Sequence, residues 1–254
     1  MTRVIQRLRG IWIPSVTLAG IAGAWALFVE ATDVPAILLP GPALVWGAAV
    51  ESSDVLLAAA SSTLSEMLLA TAIAIAGGFV TAVVLSVLPP VRRAVFPYIL
   101  MTQVVPKVAL APILVAWFGT GMQSRLILAF LIAYFPMVLN TLTGLLGTSD
   151  AMVRYIQSLA ASELQALIKV RLPAALPSIM AGVKITTGVA VIGIVVGEFV
   201  ATDRGLGKVI VESVALMETS LTIAATMAIA LIGLMLLGIV EIVERQVVYW
   251  RADR

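Results

Sequence analysis

Few side chains in this sequence could do chemistry, and those few are scattered. The 254 residues include no cysteine and no histidine, which removes thiolate nucleophiles, imidazole bases and the usual zinc ligands. Lys107 and Lys184 are the charges inside the apolar runs, and Glu66 and Glu198 lie beside them. They lie far apart, without the spacing of an acid–base pair or a metal site. The sequence therefore predicts neither a catalytic residue nor a metal ligand.

Lys107 follows Pro106 in the middle of an apolar run, where a charge needs water, a partner or the membrane interface. It could attract an anionic solute, extend to the interface or pair with a carboxylate. Gln103 and Asn140 are uncharged polar residues in apolar runs, a setting in which hydrogen bonds between helices are common. Together with Glu198 they form our set of candidate pathway residues.

Glu198 ends an apolar run that contains Gly193 and Gly197. Glycines four residues apart allow close helix approach, either at a dimer interface or within one subunit. Glu198 could line an outer pathway or hold a structural ion pair, and we favour the structural interpretation. Glu66 lies at the edge of a run and is expected to be solvated.

The elements that must position these residues are membrane helices. The chain is 61% hydrophobic and 12% charged, and its uncharged runs match the roughly 20 residues that cross a bilayer. The runs lack period-two alternation, so the predicted fold is all-α and polytopic. The net charge of +2 is spread along the chain, which predicts no nucleic-acid partner. Six spans are predicted, at 10–29, 67–91, 94–118, 126–149, 172–197 and 219–240.

Basic residues occur before the first span and then in every second connection, and these regions all fall on one side of the membrane. This distribution predicts the orientation of the spans. On one side lie Arg3, Arg7, Arg9, Arg92, Arg93, Arg154, Lys169, Arg171, Arg245, Arg251 and Arg254. The loops on the other side carry mainly carboxylates. Both termini are therefore expected in the cytoplasm.

Prolines predict two irregular regions. The loop at 30–54 contains three prolines and should run extended along the outer surface before a short helix. Pro97, Pro106 and Pro112 should bend or break the third span, either beside a translocation route or as a mere packing kink. We divide the chain into 1–54, with the tail, first helix and outer loop, and a membrane core at 55–250.

Residues 150–173, between the fourth and fifth spans, predict a helix, a tight turn and an amphipathic helix outside the membrane. Ser162 and Gln165 match a capping box. Pro173 and Pro177 are expected to end this unit. The spacing predicts one shared face for Leu164, Leu167, Ile168 and Arg171. On this pattern alone, the segment could equally be an interfacial helix that anchors the loop.

This segment resembles the cytoplasmic coupling loop of binding-protein-dependent ABC importer permeases, whose consensus is Glu-Ala-Ala, three residues, Gly, nine residues, Ile, any residue, Leu-Pro. Aligned on Leu172 and Pro173, Arg154 stands at the glutamate position and Ala160 at the glycine position. Alanine is tolerated there provided that the turn does not demand a positive φ. The resemblance implies these ATPase-coupling residues: Arg154, Ala160, Ser162, Glu163, Leu164, Leu167, Arg171 and Pro173.

Other stretches resemble the nitrate, sulfonate and taurine type of permease, namely 105–121, 133–145, 158–162, 171–185 and 197–210. The resemblance implies a type I importer permease fold in the bacterial inner membrane. It also implies two ATPase subunits, a second permease copy, identical or paralogous, and an extracytoplasmic substrate-binding protein. Gly205 to Lys208 is similar to the end of a phosphate loop, but the full GxxxxGK[ST] pattern fails because residue 202 is Thr and residue 209 is Val. ATP and Mg are therefore expected on the ATPase partners, and no cofactor on this chain.

Two other classes of protein could have long apolar helices of this kind. A secondary transporter or channel that works without an ATPase would predict an inverted repeat with paired broken helices. A membrane enzyme would need clustered acid, base or metal-binding groups. Neither pattern is visible in the sequence.

Overall fold

The long apolar runs fold into helices, as the sequence predicts. The computed structural model describes residues 2–200 and 203–251, and all regular structure in these two ranges is helical. Four helical stretches in this part are long and apolar enough to cross a membrane. They are α3 (Ser53–Val87), α6 (Met122–Leu146), the unbroken stretch Glu163–Val200 and α11 (Thr219–Val247).

The first helix lies at the edge of the bundle. Helix α1 (Thr2–Thr32) has a shorter apolar part, Val16–Thr32, whose side chains are mostly exposed. It packs on α2 (Pro42–Glu51), the short helix predicted to lead into the second span. Pro42 lies in the first turn of α2, where a missing amide donor costs little.

The third predicted span is broken, as its prolines predict. It consists of α4 (Pro89–Met101), a 3₁₀ turn at Lys107–Leu110 and α5 (Ala111–Phe118). Leu88, which precedes Pro89, has φ −112° and ψ 82° and so leaves the helical region between α3 and α4. The backbone from 102 to 106 is not helical. This span is therefore two short helices joined by an irregular segment.

The core of the bundle is formed by α3, α6 and α9 (Leu172–Val200), which pack closely through small residues. A Cβ on Gly193 would lie 2.6 Å from Ala129 Cα, and one on Gly197 would lie 3.0 Å from the Arg125 Cγ atom. Both glycines therefore serve contacts within one subunit. The structure thus supports the second of the two alternatives that the sequence leaves open for this pair.

The bundle has two polar ends. At one end lie α7 (Asp150–Ser158), α8 (Glu163–Ala166) and a π-helical turn, Leu167–Arg171, next to the start of α9. We call residues 150–173 the coupling segment and this end the coupling end. The opposite end carries α2 and α10 (Leu206–Ala215). A 3₁₀ turn, Tyr249–Arg251, follows α11 at the coupling end.

The basic residues predicted to share one side of the membrane lie at the coupling end, as far as the structure describes them. Arg92, Arg93, Arg154, Lys169 and Arg171 all lie on elements that meet there. The side chains of Arg3, Arg7, Arg9, Arg251 and Arg254 are outside the described part, as is Thr202 of the incomplete phosphate-loop pattern.

Candidate functional site: the coupling segment and the buried polar cluster

The predicted turn in the coupling segment is present. The Ser162 side chain accepts a hydrogen bond from the Gln165 amide at 3.3 Å, and the Gln165 side chain accepts one from the Ser162 amide at 2.9 Å. These two bonds are the capping box that the sequence predicts. They fix the start of α8 directly after the turn.

Ala160 does not meet the condition under which alanine replaces the family glycine without strain. Its φ is +58°, in the left-handed region, where a Cβ crowds the following carbonyl and costs about 1–2 kcal/mol. Glycine has no such penalty at this position. The turn therefore demands a positive φ, and it is strained in this chain.

We expect Ala160→Gly to stabilise the turn by about 1 kcal/mol. Amide hydrogen exchange at residues 159–163 of the purified protein should slow about fivefold. Ala161→Gly is the matched control, because residue 161 has no positive φ and glycine there only adds backbone freedom. Equal acceleration of exchange by both substitutions would contradict the strain at Ala160.

The predicted shared face of the second helix is divided in two. Leu167 is buried with Leu145 and Ala175, whereas Leu164 and Ile168 are 63% and 54% exposed. Residues 164 and 168 are four apart and stay aligned, while the wider π turn rotates Leu167 toward the bundle. The prediction is therefore wrong for Leu167, which anchors the segment instead of facing outward.

The helix that begins at Glu163 does not end at Pro173 or Pro177. The π turn is closed by a hydrogen bond from the Leu172 amide to the Leu167 carbonyl, and the chain runs directly into α9. Pro173 lies in the first turn of α9 and Pro177 one turn further. The irregular π turn lies just before Pro173 and accommodates its missing amide donor, and the helical stretch continues past both prolines. This expectation is corrected: Glu163 to Val200 is one helical stretch.

The coupling segment carries large apolar side chains that the described part of the chain leaves exposed. Besides Leu164 and Ile168, the exposed large side chains there are Met152, Tyr155 and Leu159. Arg154 is exposed on α7. Behind this surface is a cleft of about 400 Å³ whose lining includes Arg92, Glu163 and Arg171, and the last two form an ion pair at 3.8 Å. Exposed apolar surface of this kind indicates a contact with another protein or with the membrane.

A buried ion pair joins α3 to α6 near the opposite end. Arg125 Nε and Nη2 donate to the two Glu66 carboxylate oxygens at 2.7 and 2.6 Å. The side chains are 1% and 2% exposed. Arg125 Nη1 also donates to the Thr120 carbonyl at 2.9 Å. The expectation that Glu66 is solvated is therefore wrong: Glu66 is paired inside the bundle.

Glu198 lies in the same region and holds the start of α10. Its carboxylate accepts hydrogen bonds from Thr63 Oγ1 and from the Gly207 amide, both at 2.7 Å, and the Thr63 hydroxyl accepts one from the Leu206 amide at 2.8 Å. A Cβ on Gly207 would lie 2.4 Å from the Glu198 Cβ atom, so only glycine permits this approach. These contacts support the structural interpretation of Glu198. Its partners are a hydroxyl group and a backbone amide, whereas the structural interpretation expected an ion pair.

Sequence reasoning missed this buried polar cluster of Thr63, Glu66, Arg125 and Glu198 because it ended the spans at charges. The helix continues on both sides of Glu66, through mainly small hydroxyl residues at 61–65 and an apolar stretch at 55–60, and α3 begins 14 residues before the predicted span at 67. When helical spacing continues on both sides of a charged residue, with no Gly or Pro to mark a turn, that residue belongs to the helix. Its charge is then expected inside the bundle. The pairing of Glu66 with Arg125, 59 residues apart, has no local signal.

The candidate pathway residues fall into separate places. Lys107 Nζ donates to the Gln103 side chain at 2.8 Å on the irregular segment, so its polar partner is an amide. Asn140 donates to the Pro136 carbonyl at 2.8 Å, within its own helix. Glu198 is near the opposite end, in the buried cluster. The structure thus brings together Gln103 and Lys107 but places Asn140 and Glu198 elsewhere.

Lys184, the other charge inside an apolar run, is paired across two helices. Its amine contacts the carboxylates of Glu241 and Glu244 on α11. Arg245 also pairs with Glu241, at 3.1 Å. This ionic group joins α9 to α11 towards the coupling end. Among the described residues, no group of three or more acidic or other ligand side chains could hold a metal.

The chain is similar to known transport proteins over most of its length. A family model of the binding-protein-dependent transport system inner membrane component matches residues 74–249. A probable ABC transporter permease protein of Haemophilus influenzae is 37% identical over 68% of this chain and 71% of its own length. The taurine transport system permease protein TauC of Escherichia coli is 31% identical over 76% and 70%.

A solved structure has the same fold. It is titled as inward-facing conformations of the MetNI methionine ABC transporter, and it superposes with a TM-score of 0.69 at 18% sequence identity. The match covers 78% of this chain and 98% of the other. The all-α permease fold predicted from the sequence is thus confirmed.

Proposed function

Because the chain belongs to the family of binding-protein-dependent transport system inner membrane components, we propose that it is driven by two ATPase subunits that dock on residues 150–173. The chain is a membrane-embedded ABC importer permease for a small solute, and it is not itself an enzyme. In this proposal the ATPases bind the ATP and Mg, and a substrate-binding protein delivers the solute at the opposite end.

The observation that carries the docking proposal is the exposed apolar surface of the coupling segment. Leu164 and Ile168 lie one helical turn apart, and Leu167 anchors the helix beneath them. Exposed apolar side chains on a rigid, capped helix are typical of a surface that a partner covers. The sequence contains no complete phosphate-loop pattern, so ATP hydrolysis is assigned to the docked subunit.

The continuity of Glu163 with Val200 supports a lever mechanism. A force on α8 passes along one helical stretch into α9, and α9 packs so closely against α6 that a Cβ on Gly193 would lie 2.6 Å from the Ala129 Cα atom. Closely packed helices move as a unit. Closure of the ATPases would therefore tilt α9 and α6 together and open the pathway alternately to the two sides.

A second permease copy, identical or paralogous, accounts for the exposed irregular segment at 102–106. Non-helical backbone in a membrane is stable only where protein covers it or where it lines a water-filled path. Val104 is 85% exposed in the isolated chain. We therefore place this segment, with Gln103 and Lys107, between two permease subunits at the translocation route.

The coupling end is assigned to the cytoplasm, and with it both termini, because the basic residues gather there. For the solute, we propose a small anion or related metabolite of the kinds for which the relatives are named. Those names include taurine, riboflavin, aliphatic sulfonates and nitrate.

The proposed assembly is tested by its mass and its ATPase activity. The chain, expressed with the ATPase and binding protein encoded beside its gene, should purify as a complex of two permease and two ATPase subunits. The complex should hydrolyse ATP, and the permease purified alone should not. ATP hydrolysis by the permease alone, or a neighbourhood that encodes no ATPase, would count against the proposal.

A further inference from the structure

A second cleft opens beside the coupling end, between α4 and the last turns of α6. Its volume is about 490 Å³, and Arg92, Arg93, Phe96, Pro97, Leu139 and Leu146 are among the residues that line it. Two of these residues are cations and the lining includes no carboxylate. The cleft therefore combines a positive rim with an apolar wall.

The two arginines are without carboxylate partners in the residues that the structure describes. No ion pair within 4.0 Å is formed by Arg92 or Arg93 there, whereas Arg125 and Lys184 each contact glutamates. Arg92 is half-buried, and Arg93 beside it is exposed. An anion at this position would satisfy both guanidinium groups with charge-assisted hydrogen bonds.

The cleft is polar at one level and apolar at the next. Arg92 and Arg93 lie near the start of α4, and Phe96 and Pro97 lie one turn deeper, about 6 Å along the helix. Leu139 is seven residues before Leu146 on α6, which is about 10 Å deeper. Leu139, Leu146 and Val95 are also exposed, so the apolar wall continues onto the outside of the helices.

We propose that this cleft binds an anionic phospholipid. The lipid phosphate lies between Arg92 and Arg93, and one acyl chain lies along Phe96 and Leu139. A soluble anion would leave the apolar wall uncovered, whereas a lipid matches both levels of the cleft. Basic clefts between membrane helices near the headgroup level commonly bind anionic headgroups.

Arg92 also lines the cleft that contains Glu163 and Arg171. A phosphate on Arg92 therefore lies beside the coupling segment. Lipid occupancy would hold the ends of α4 and α6 in place next to that segment. We expect anionic lipid to bind the complex and also to raise its ATPase activity.

The test is a titration of phosphatidylglycerol onto the purified transporter complex in detergent, with native mass spectrometry as the readout. The variant Arg92→Gln/Arg93→Gln should bind phosphatidylglycerol about thirtyfold more weakly, because each cation near a headgroup contributes roughly a fivefold factor. The variant Arg92→Lys/Arg93→Lys keeps both charges and should retain most of the binding. Phosphatidylcholine should bind weakly to all three proteins.

Two control variants distinguish binding in the cleft from general attraction of anions to the basic residues of the bundle. Lys208→Gln/Arg245→Gln removes two cations that lie outside the cleft and outside the coupling segment, and it should bind phosphatidylglycerol as the unaltered protein does. Leu139→Asn should weaken the binding of phosphatidylglycerol but not the binding of glycerol phosphate. Equal losses in the two double glutamine variants would overturn the proposal, as would full competition by glycerol phosphate at the same concentration. If the glutamine variant of the cleft fails to fold, unchanged lipid binding in Leu139→Asn would overturn it equally.

Discussion

Replacing Arg125 by alanine should strongly destabilise the bundle, because it leaves the Glu66 carboxylate buried without its partner. Breaking a buried ion pair from one side costs about 3–5 kcal/mol. Arg125 is 1% exposed and makes three hydrogen bonds to Glu66 and Thr120. The loss should appear as a lower midpoint of unfolding of the purified permease in detergent.

The matched control for Arg125 is Lys208→Ala. Lys208 pairs with Glu212 at 3.6 Å on the same end of the bundle, but both side chains are more than a third exposed. Exposed pairs contribute about 0–1 kcal/mol, so this variant should unfold almost as the unaltered protein does. A second variant, Glu66→Leu/Arg125→Met, removes both charges and should recover much of the lost stability. Similar midpoints for Arg125→Ala and Lys208→Ala would contradict the buried pair.

Truncating the exposed pair of the coupling segment should separate the permease from its ATPase. In Leu164→Ala/Ile168→Ala, alanine preserves the helix, and both truncated side chains are more than half exposed. If these side chains are central to the docking surface, each contributes at least about 1 kcal/mol to binding. The affinity for the ATPase should then fall about thirtyfold or more, measured by titrating ATPase onto the reconstituted permease.

Transport and ATP hydrolysis should fall together in that variant, while the permease itself stays folded. Leu44→Ala/Val50→Ala is the matched control, since both residues are exposed on α2 at the opposite end. It should leave ATPase binding unchanged. An unaltered ATPase affinity in Leu164→Ala/Ile168→Ala would place the docking surface elsewhere.

The features that local sequence could predict are those with a local physical cause. The capping box of Ser162 and Gln165, the break of the third span at its prolines and the short helix before α3 all follow from neighbouring residue types. Helical length and apolar composition predict the bundle itself. The family resemblance adds the coupling segment, which has no other signature in hydropathy.

The features that sequence reasoning missed depend on distant or geometric causes. Glu66 pairs with Arg125 and Lys184 pairs with Glu241 and Glu244, each across 57 residues or more. The burial of Leu167 depends on a π turn, and the strain at Ala160 depends on the sign of φ. A single sequence carries no signal for long-range pairing, and an extra residue in one turn rotates every face that follows.

The central claim is that solute import through this chain is driven by a separate ATPase docked on residues 150–173. The most direct measurement is uptake of a panel of labelled solutes, including taurine, nitrate and riboflavin, into vesicles that contain the permease. We predict uptake of one class of solute only when the binding protein, the ATPase and ATP are all present, and none with Leu164→Ala/Ile168→Ala. Uptake by the permease alone, driven by an ion gradient, would contradict the account and would favour a secondary transporter.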